Sequence, residues 1–420
     1  MAKALRFSFE LKKYGKNAVF LGIEKSIRIF LSIIVVSRVS KFLEPDNYGI
    51  LALLESVFSI LFAIAALGID PIITREFKLK QYDSKLIFCT TFYLKFFASI
   101  LLFIVYLLFS FFFYEKPIFY YNLIIGFGLL FSSINVIEYY FQSRVELFNT
   151  SLIRSFAFIA SSIIKLFLVY NSYPLIYFVF TILIEQIIIF SGFTLISFRN
   201  GFSLKYNYYS VEIANFILRP AKTLLIISLS IMIYSRIDQL MIKAMLGDFM
   251  LGNYSAAQKI VETSFILPTI IISVIYPKTI EKLKSSNMNY IKKTFKIIWV
   301  ISTFIAIVLF CLSDFITNLI FGVKYELTSE LIKVLSFSII FYSIKMFFNQ
   351  IIYVKNLEIS LLKQTLTSIL INIILNYWFI KHFGVIGAAY ATIISLIFST
   401  YVYDFFDKKL IKLIKLKFPF

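Results

Sequence analysis

Two arginines stand deep inside apolar runs of this chain. Arg28 follows Lys16 by twelve positions, and Arg236 precedes the turn residue Asp248 by the same twelve. Twelve positions in a helix rise about 18 Å. That reaches the middle of a bilayer core about 30 Å thick. An ionisable group at that depth costs at least about 2–3 kcal/mol, so it faces a polar cavity or a partner. Lys95, Lys165 and Lys345 also lie well inside apolar runs, as do Glu55, Glu185 and Asp238, while Glu24 and Lys25 stand nearer the inner edge of the first run.

These types suit one task. Arginine's planar fork binds phosphate oxygens in pairs and never loses its charge. A phosphorylated headgroup is costly in hydrocarbon, and a wet, cationic path would shelter it. Arg28, Arg236, Lys25 and Lys345 are therefore the candidate substrate contacts. Glu24, Glu55, Glu185 and Asp238 are candidates for ion coupling or for charge pairing. Glu24 and Arg28 are four apart and share a face, so they can form a structural pair. Asp238 can anchor Arg236 or a neighbouring helix, and Lys25 can snorkel to the interface. Glu55 and Glu185 can carry a coupling proton, unless a lysine cancels that role.

Other chemistry is missing from the sequence. No Gly-x4-Gly-Lys-Ser/Thr phosphate loop occurs. The single histidine, His382, falls in a short external turn, and Cys89 and Cys311 lie far apart with no metal-ligand spacing. We therefore expect no catalytic residue, no metal and no cofactor, with proton or sodium coupling as the open possibility.

The elements that position these groups follow from composition. Of 420 residues, 60% are hydrophobic and only 15% charged, with 50 Phe and 27 Tyr. A soluble domain carries roughly a quarter charged residues. Apolar runs occupy about 17–40, 47–69, 86–113, 118–141, 150–170 and 174–197. After a polar break at 198–220 come about 221–246, 250–277, 294–320, 328–353, 359–380 and 384–406. This predicts an all-α integral membrane protein of about twelve spans in two pseudo-symmetric six-helix lobes: 1–200, a cytoplasmic linker 201–220, and 221–420. No removed signal peptide is expected, because the first apolar run is a full span. The net charge of +19 sits in short clusters between runs, which argues against nucleic acid. Basic residues alternate loop by loop, placing both termini in the cytoplasm, and the clusters also meet anionic lipid heads.

A repeat supports the two halves. Leu43-Glu-Pro-Asp-Asn-Tyr-Gly49 and Leu246-Gly-Asp-Phe-Met-Leu-Gly252 occupy matching turns, each with Leu six positions before Gly. A substrate cavity between parallel halves is the expected consequence.

Three stretches carry a family resemblance: residues 38–77, residues 235–278 with SRIDQLMIKAMLGDFMLGNYSAAQKIVE, and residues 376–395 with NYWFIKHFGVIGAAYATIIS. The chain resembles the Wzx-type flippases of O-antigen and capsule repeat units in the MATE/MOP superfamily. Many of those carry Gly where this chain has Glu44. The resemblance implies an undecaprenyl-diphosphate-linked oligosaccharide as substrate, moved by alternating access in a bacterial inner membrane during polysaccharide and lipopolysaccharide biosynthesis. It implies membrane lipids, a polysaccharide polymerase and a chain-length regulator as partners. Two rivals remain: a membrane polymerase or ligase acting on lipid-linked sugars, and a multidrug or small-molecule exporter of the same superfamily. The brief external loops disfavour the first. The basic balance of the deep charges disfavours the second.

Overall fold

The computed structural model describes the backbone of residues 2–411 apart from 286, 287 and 356, together with 414 and 417. Side chains are described from Arg28 onward, apart also from 277 and 284. Among the described residues every regular element is helical. A lipid core demands this, because a helix satisfies its own backbone groups where water is absent.

Among the described residues, ten helices are long and apolar enough to cross a membrane: Arg28–Ala65, Ser84–Phe113, Lys116–Ser143, Phe148–Tyr170, Leu175–Arg199, Val211–Leu246, Asp248–Tyr276, Met288–Ile320, Thr328–Val354 and Glu358–Phe405. Glu44 breaks the first of these (φ 59°, ψ 171°) and Gly384 the last (φ 59°, ψ −146°). The ten helices thus contain twelve apolar runs, as the sequence predicts. The protein is a multi-pass membrane protein. The adjacent Phe111, Phe112 and Phe113 are 67%, 74% and 71% exposed, so most of each ring is open to lipid.

The chain forms two compact units, Met1–Phe42 with Leu54–Met232, and Leu43–Leu53 with Ile233–Phe420. The first is centred on Ile69, Ile73, Phe88, Ile137, Phe193 and Ile217, the second on Ile272, Phe295, Ile344, Phe347 and Ile351. The stretch expected as a linker, 201–220, is helical from Val211 onward. Ile213, Ile217 and Ala221 recur every four residues and are buried, which seats this helix in the first unit's core. Arg219 and Pro220 read as a break in sequence, yet the helix continues through Pro220.

The repeated turns share a backbone conformation. Glu44 (φ 59°, ψ 171°) and Gly247 (φ 87°, ψ −172°) occupy a region that only glycine enters freely. Pro45 and Asp248 follow each at the start of a helix. The Glu44 carboxylate pairs with Lys324, and both side chains are more than half exposed.

Candidate functional site

In the second unit, Asp238 projects from the helix Val211–Leu246 and is 4% exposed. Its carboxylate accepts three hydrogen bonds: from Tyr254 Oη at 3.0 Å, Asn376 Nδ2 at 2.6 Å and Thr392 Oγ1 at 2.6 Å. The donors come from three runs, with Asn376 and Thr392 on either side of the Gly384 break. All three are neutral, and no Lys or Arg among the described residues lies within ion-pair distance of Asp238. Hydrogen bonds offset part of the cost of burying a charge, but they do not neutralise it. The Oδ1 of Asn376 is also buried without a donor. A carboxylate beside an unpaired amide oxygen and a hydroxyl offers a set of hard oxygen donors.

The network continues away from Asp238. Asn376 Nδ2 also donates to Asn372 Oδ1 at 3.0 Å, and Asn372 Nδ2 to Ser395 Oγ at 3.2 Å. Ser395 Oγ lies 3.0 Å from Tyr234 Oη. The ammonium of Lys345 stands 4.9 Å from the Tyr234 ring centroid. No carboxylate among the described residues is within ion-pair distance of Lys345.

Arg236 lies two positions before Asp238, and two helical steps carry it about 200° around the axis. Its Nη1 meets Glu262 Oε1 at 3.3 Å, while its Nε is buried without an acceptor. Gln258 Nε2 donates to the same Glu262 oxygen at 3.1 Å, and Gln239 Nε2 to Gln258 Oε1 at 2.7 Å. Nearer the turn, Lys243 pairs with Asp248 at 2.5 Å. A polar seam therefore joins these two helices, in a chain that is otherwise mostly apolar.

The first unit holds a second charged group. Arg28 Nη2 is 3.9 Å from Glu185 Oε1, and its guanidinium lies over the Phe158 ring at 4.7 Å. The Arg28 side chain is 40% exposed. Ser161 Oγ donates to Glu185 at 3.0 Å, and Lys165 pairs with Glu55 at 3.8 Å. Lys95 is held differently. It is 4% exposed, 2.5 Å from Asp70, whose other oxygen accepts from Tyr139 at 2.7 Å.

The family described as polysaccharide biosynthesis protein matches residues 38–330, well over half of the chain. The chain belongs to that family. The match spans both glycine-bearing turns and takes in Glu55, Glu185, Arg236 and Asp238. A curated relative, the probable low-salt glycan biosynthesis flippase Agl15 of Haloferax volcanii, is 25% identical over 173 residues, or 40% of this chain and 36% of that protein. The chain thus matches about a third of that relative's length. Among solved structures, an inward-facing multidrug resistance MATE family transporter of the MOP superfamily superposes with a TM-score of 0.72 at 14% identity, over 92% of this chain and 96% of that one. The lipid II flippase MurJ, in an inward closed conformation, gives 0.72 at 16% identity, over 95% and 90%. At these identities the likeness is one of fold.

For this polysaccharide biosynthesis protein, the positions expected from sequence fall as follows. Arg28 meets Glu185; Glu24, its expected partner, lies with Lys25 outside the described side chains. Asp238 does not anchor Arg236, which takes Glu262 instead, because the two project from opposite sides of one helix. Glu55 has a lysine neighbour, Lys165, at 3.8 Å. His382 stacks on Trp378, with centroids 4.6 Å apart, and its Nδ1 is 2.7 Å from the Trp378 carbonyl oxygen. Sequence reading missed Tyr234, Tyr254, Glu262, Asn372, Asn376, Thr392 and Ser395. One signal was present: Asn372 and Asn376 stand four apart in an apolar run, on one face of the helix.

Proposed function

We propose that this protein is a flippase that carries a lipid-linked, diphosphate-bearing sugar across the membrane without altering it. The observation that carries this reading is that each unit holds an intramembrane arginine that, among the described residues, meets one carboxylate and keeps part of its guanidinium free. Arg28 stays 40% exposed beside Glu185, and Arg236 keeps an unpaired Nε beside Glu262. A diphosphate offers oxygens in the geometry such forks bind. Lys345, with no carboxylate partner among the described residues, is a third candidate contact, and Lys25, near the inner end of the first apolar run in sequence, a fourth.

The substrate is an undecaprenyl-diphosphate-linked oligosaccharide repeat unit, taken from the cytoplasmic to the periplasmic leaflet of a bacterial inner membrane by alternating access. Both termini lie on the cytoplasmic side, where the basic clusters belong. A polymerase and a chain-length regulator would act on the delivered units. A monovalent cation, sodium or a proton, drives the cycle by occupying Asp238. The family membership and the name of the Haloferax relative support the substrate class.

The test is export of surface polysaccharide in a flippase-null strain. Arg28→Ala and Arg236→Ala, each shown to insert stably, are expected to lower export at least about tenfold, the loss of roughly 1.4 kcal/mol. Wild-type export from both variants would remove this reading.

A further inference from the structure

Four polar side chains, Asn376, Asn372, Ser395 and Tyr234, lead from Asp238 to the ring contact with Lys345, and their donor directions can be assigned. Ser395 Oγ has one proton, which it gives to the Thr392 carbonyl at 2.9 Å. It therefore accepts from both Asn372 Nδ2 at 3.2 Å and Tyr234 Oη at 3.0 Å. Its bonding capacity is full. Asn376 uses one amide group for two acceptors, Asp238 Oδ1 and Asn372 Oδ1, and leaves its own Oδ1 buried and unpaired. Each member is committed, so a change at one end must be passed on.

We infer that Tyr234 is a positioning residue that couples the cation at Asp238 to the grip of Lys345 on the substrate diphosphate. The inference rests on the flippase reading above. A cation at Asp238 draws the unpaired Asn376 carbonyl oxygen toward itself. The Asn376 amide then turns away from Asn372, and Asn372 loses a donor. Asn372 re-pairs, Ser395 gains a free lone pair, and the Tyr234 hydroxyl settles on it alone. The ring that moves with that hydroxyl is the surface on which the Lys345 ammonium rests, 4.9 Å from its centroid. An ammonium over an aromatic face is held by the ring quadrupole, so a shift of the ring re-aims the lysine. Buried networks of this kind have few arrangements, which gives the two-state element that coupling between sites requires.

The experiment is linkage of two probes on the purified full chain in detergent, sodium ion and farnesyl diphosphate, at fixed pH. In the wild type, farnesyl diphosphate is expected to bind about tenfold tighter in sodium than in choline, and sodium tighter by the same factor with farnesyl diphosphate present. Tyr234→Phe keeps the ring under Lys345 and removes only the hydroxyl. It is expected to bind each probe alone within about twofold of the wild type, with the coupling factor reduced to near one. Ser395→Ala breaks the chain at the next link and is expected to do the same, which covers the case of a Tyr234 variant that does not fold. Retention of the wild-type factor in either well-folded variant overturns the inference and leaves the flippase reading standing, as does a wild type that binds both probes without coupling. A wild type that binds neither probe, or single-probe binding untouched by Asp238→Asn and Lys345→Ala, removes the flippase reading and this inference together.

Discussion

Gly49 and Gly252 each press against the first turn of the other's helix. A side-chain carbon on Gly49 would fall 2.2 Å from the carbonyl oxygen of Asp248, and one on Gly252 would fall 2.0 Å from that of Pro45. Pro45 and Asp248 are the matching residues of the two turns, so the contact is reciprocal. Both approaches are to backbone, which cannot swing aside as a side chain can.

Gly49→Ala and Gly252→Ala are therefore expected to destabilise the protein by roughly 1–3 kcal/mol each, the usual cost of overpacking. A thermal melt of the detergent-solubilised protein reads this directly. Gly247→Ala is the informative control. A carbon there meets nothing within 4 Å, yet φ is +87°. Its loss, about 1–3 kcal/mol, would come from backbone strain alone.

Glu44 offers the opposite experiment. Its backbone sits where glycine belongs, at a cost of about 1–3 kcal/mol. What it gains is an ion pair with Lys324 in which both partners are more than half exposed, and such pairs give about 0–1 kcal/mol. Strain outweighs the pair, so Glu44→Gly is expected to raise the melting temperature. A lowered one would show that Glu44 holds this turn by a contact stronger than its exposure suggests.

Asp238 carries a prediction that needs no transport assay. A ligand that binds only the folded state stabilises it, by about 2.7 kcal/mol at a hundred times its dissociation constant. Sodium chloride, compared with choline chloride at equal ionic strength, is expected to raise the melting temperature of the wild type and leave Asp238→Asn unmoved. An equal sodium effect on both proteins would exclude Asp238 as the cation site.

The Lys95–Asp70 pair, with the lysine buried and the aspartate part-exposed, is expected to behave as a unit. Removing one partner strands the other charge, which costs roughly 3–5 kcal/mol in fully buried pairs and less here, because Asp70 keeps some contact with its surroundings outside the protein. Lys95→Met should be strongly destabilised, and adding Asp70→Asn should recover most of the loss. Additive losses in the double variant would show that the two groups are not coupled in this way.

Much of this fold is legible in sequence because lipid imposes simple rules. Twelve apolar runs, their short connections and the repeated turns all follow from hydropathy and from Gly and Pro. Residues 211–220 misled because Arg219 and Pro220 resemble a break, while the buried stripe of Ile213, Ile217 and Ala221 governs. The site was legible in depth but not in direction. Arg28, Arg236 and Asp238 could be placed along their helices, yet which neighbour each meets depends on packing between runs distant in the chain. Glu24 was the natural local partner for Arg28, and the structure supplies Glu185, 157 positions on. Asp238 likewise draws Asn376 and Thr392 from more than a hundred residues away.

The boundary between the units passes through helices at every crossing: after Phe42, after Leu53 and after Met232. Two gene halves severed within the polar stretch 201–210 would not yield independent modules. The downstream product would lack Leu43–Leu53, and with it the Pro45 carbonyl against which Gly252 is moulded. Only co-expression of both fragments is expected to restore a foldable protein.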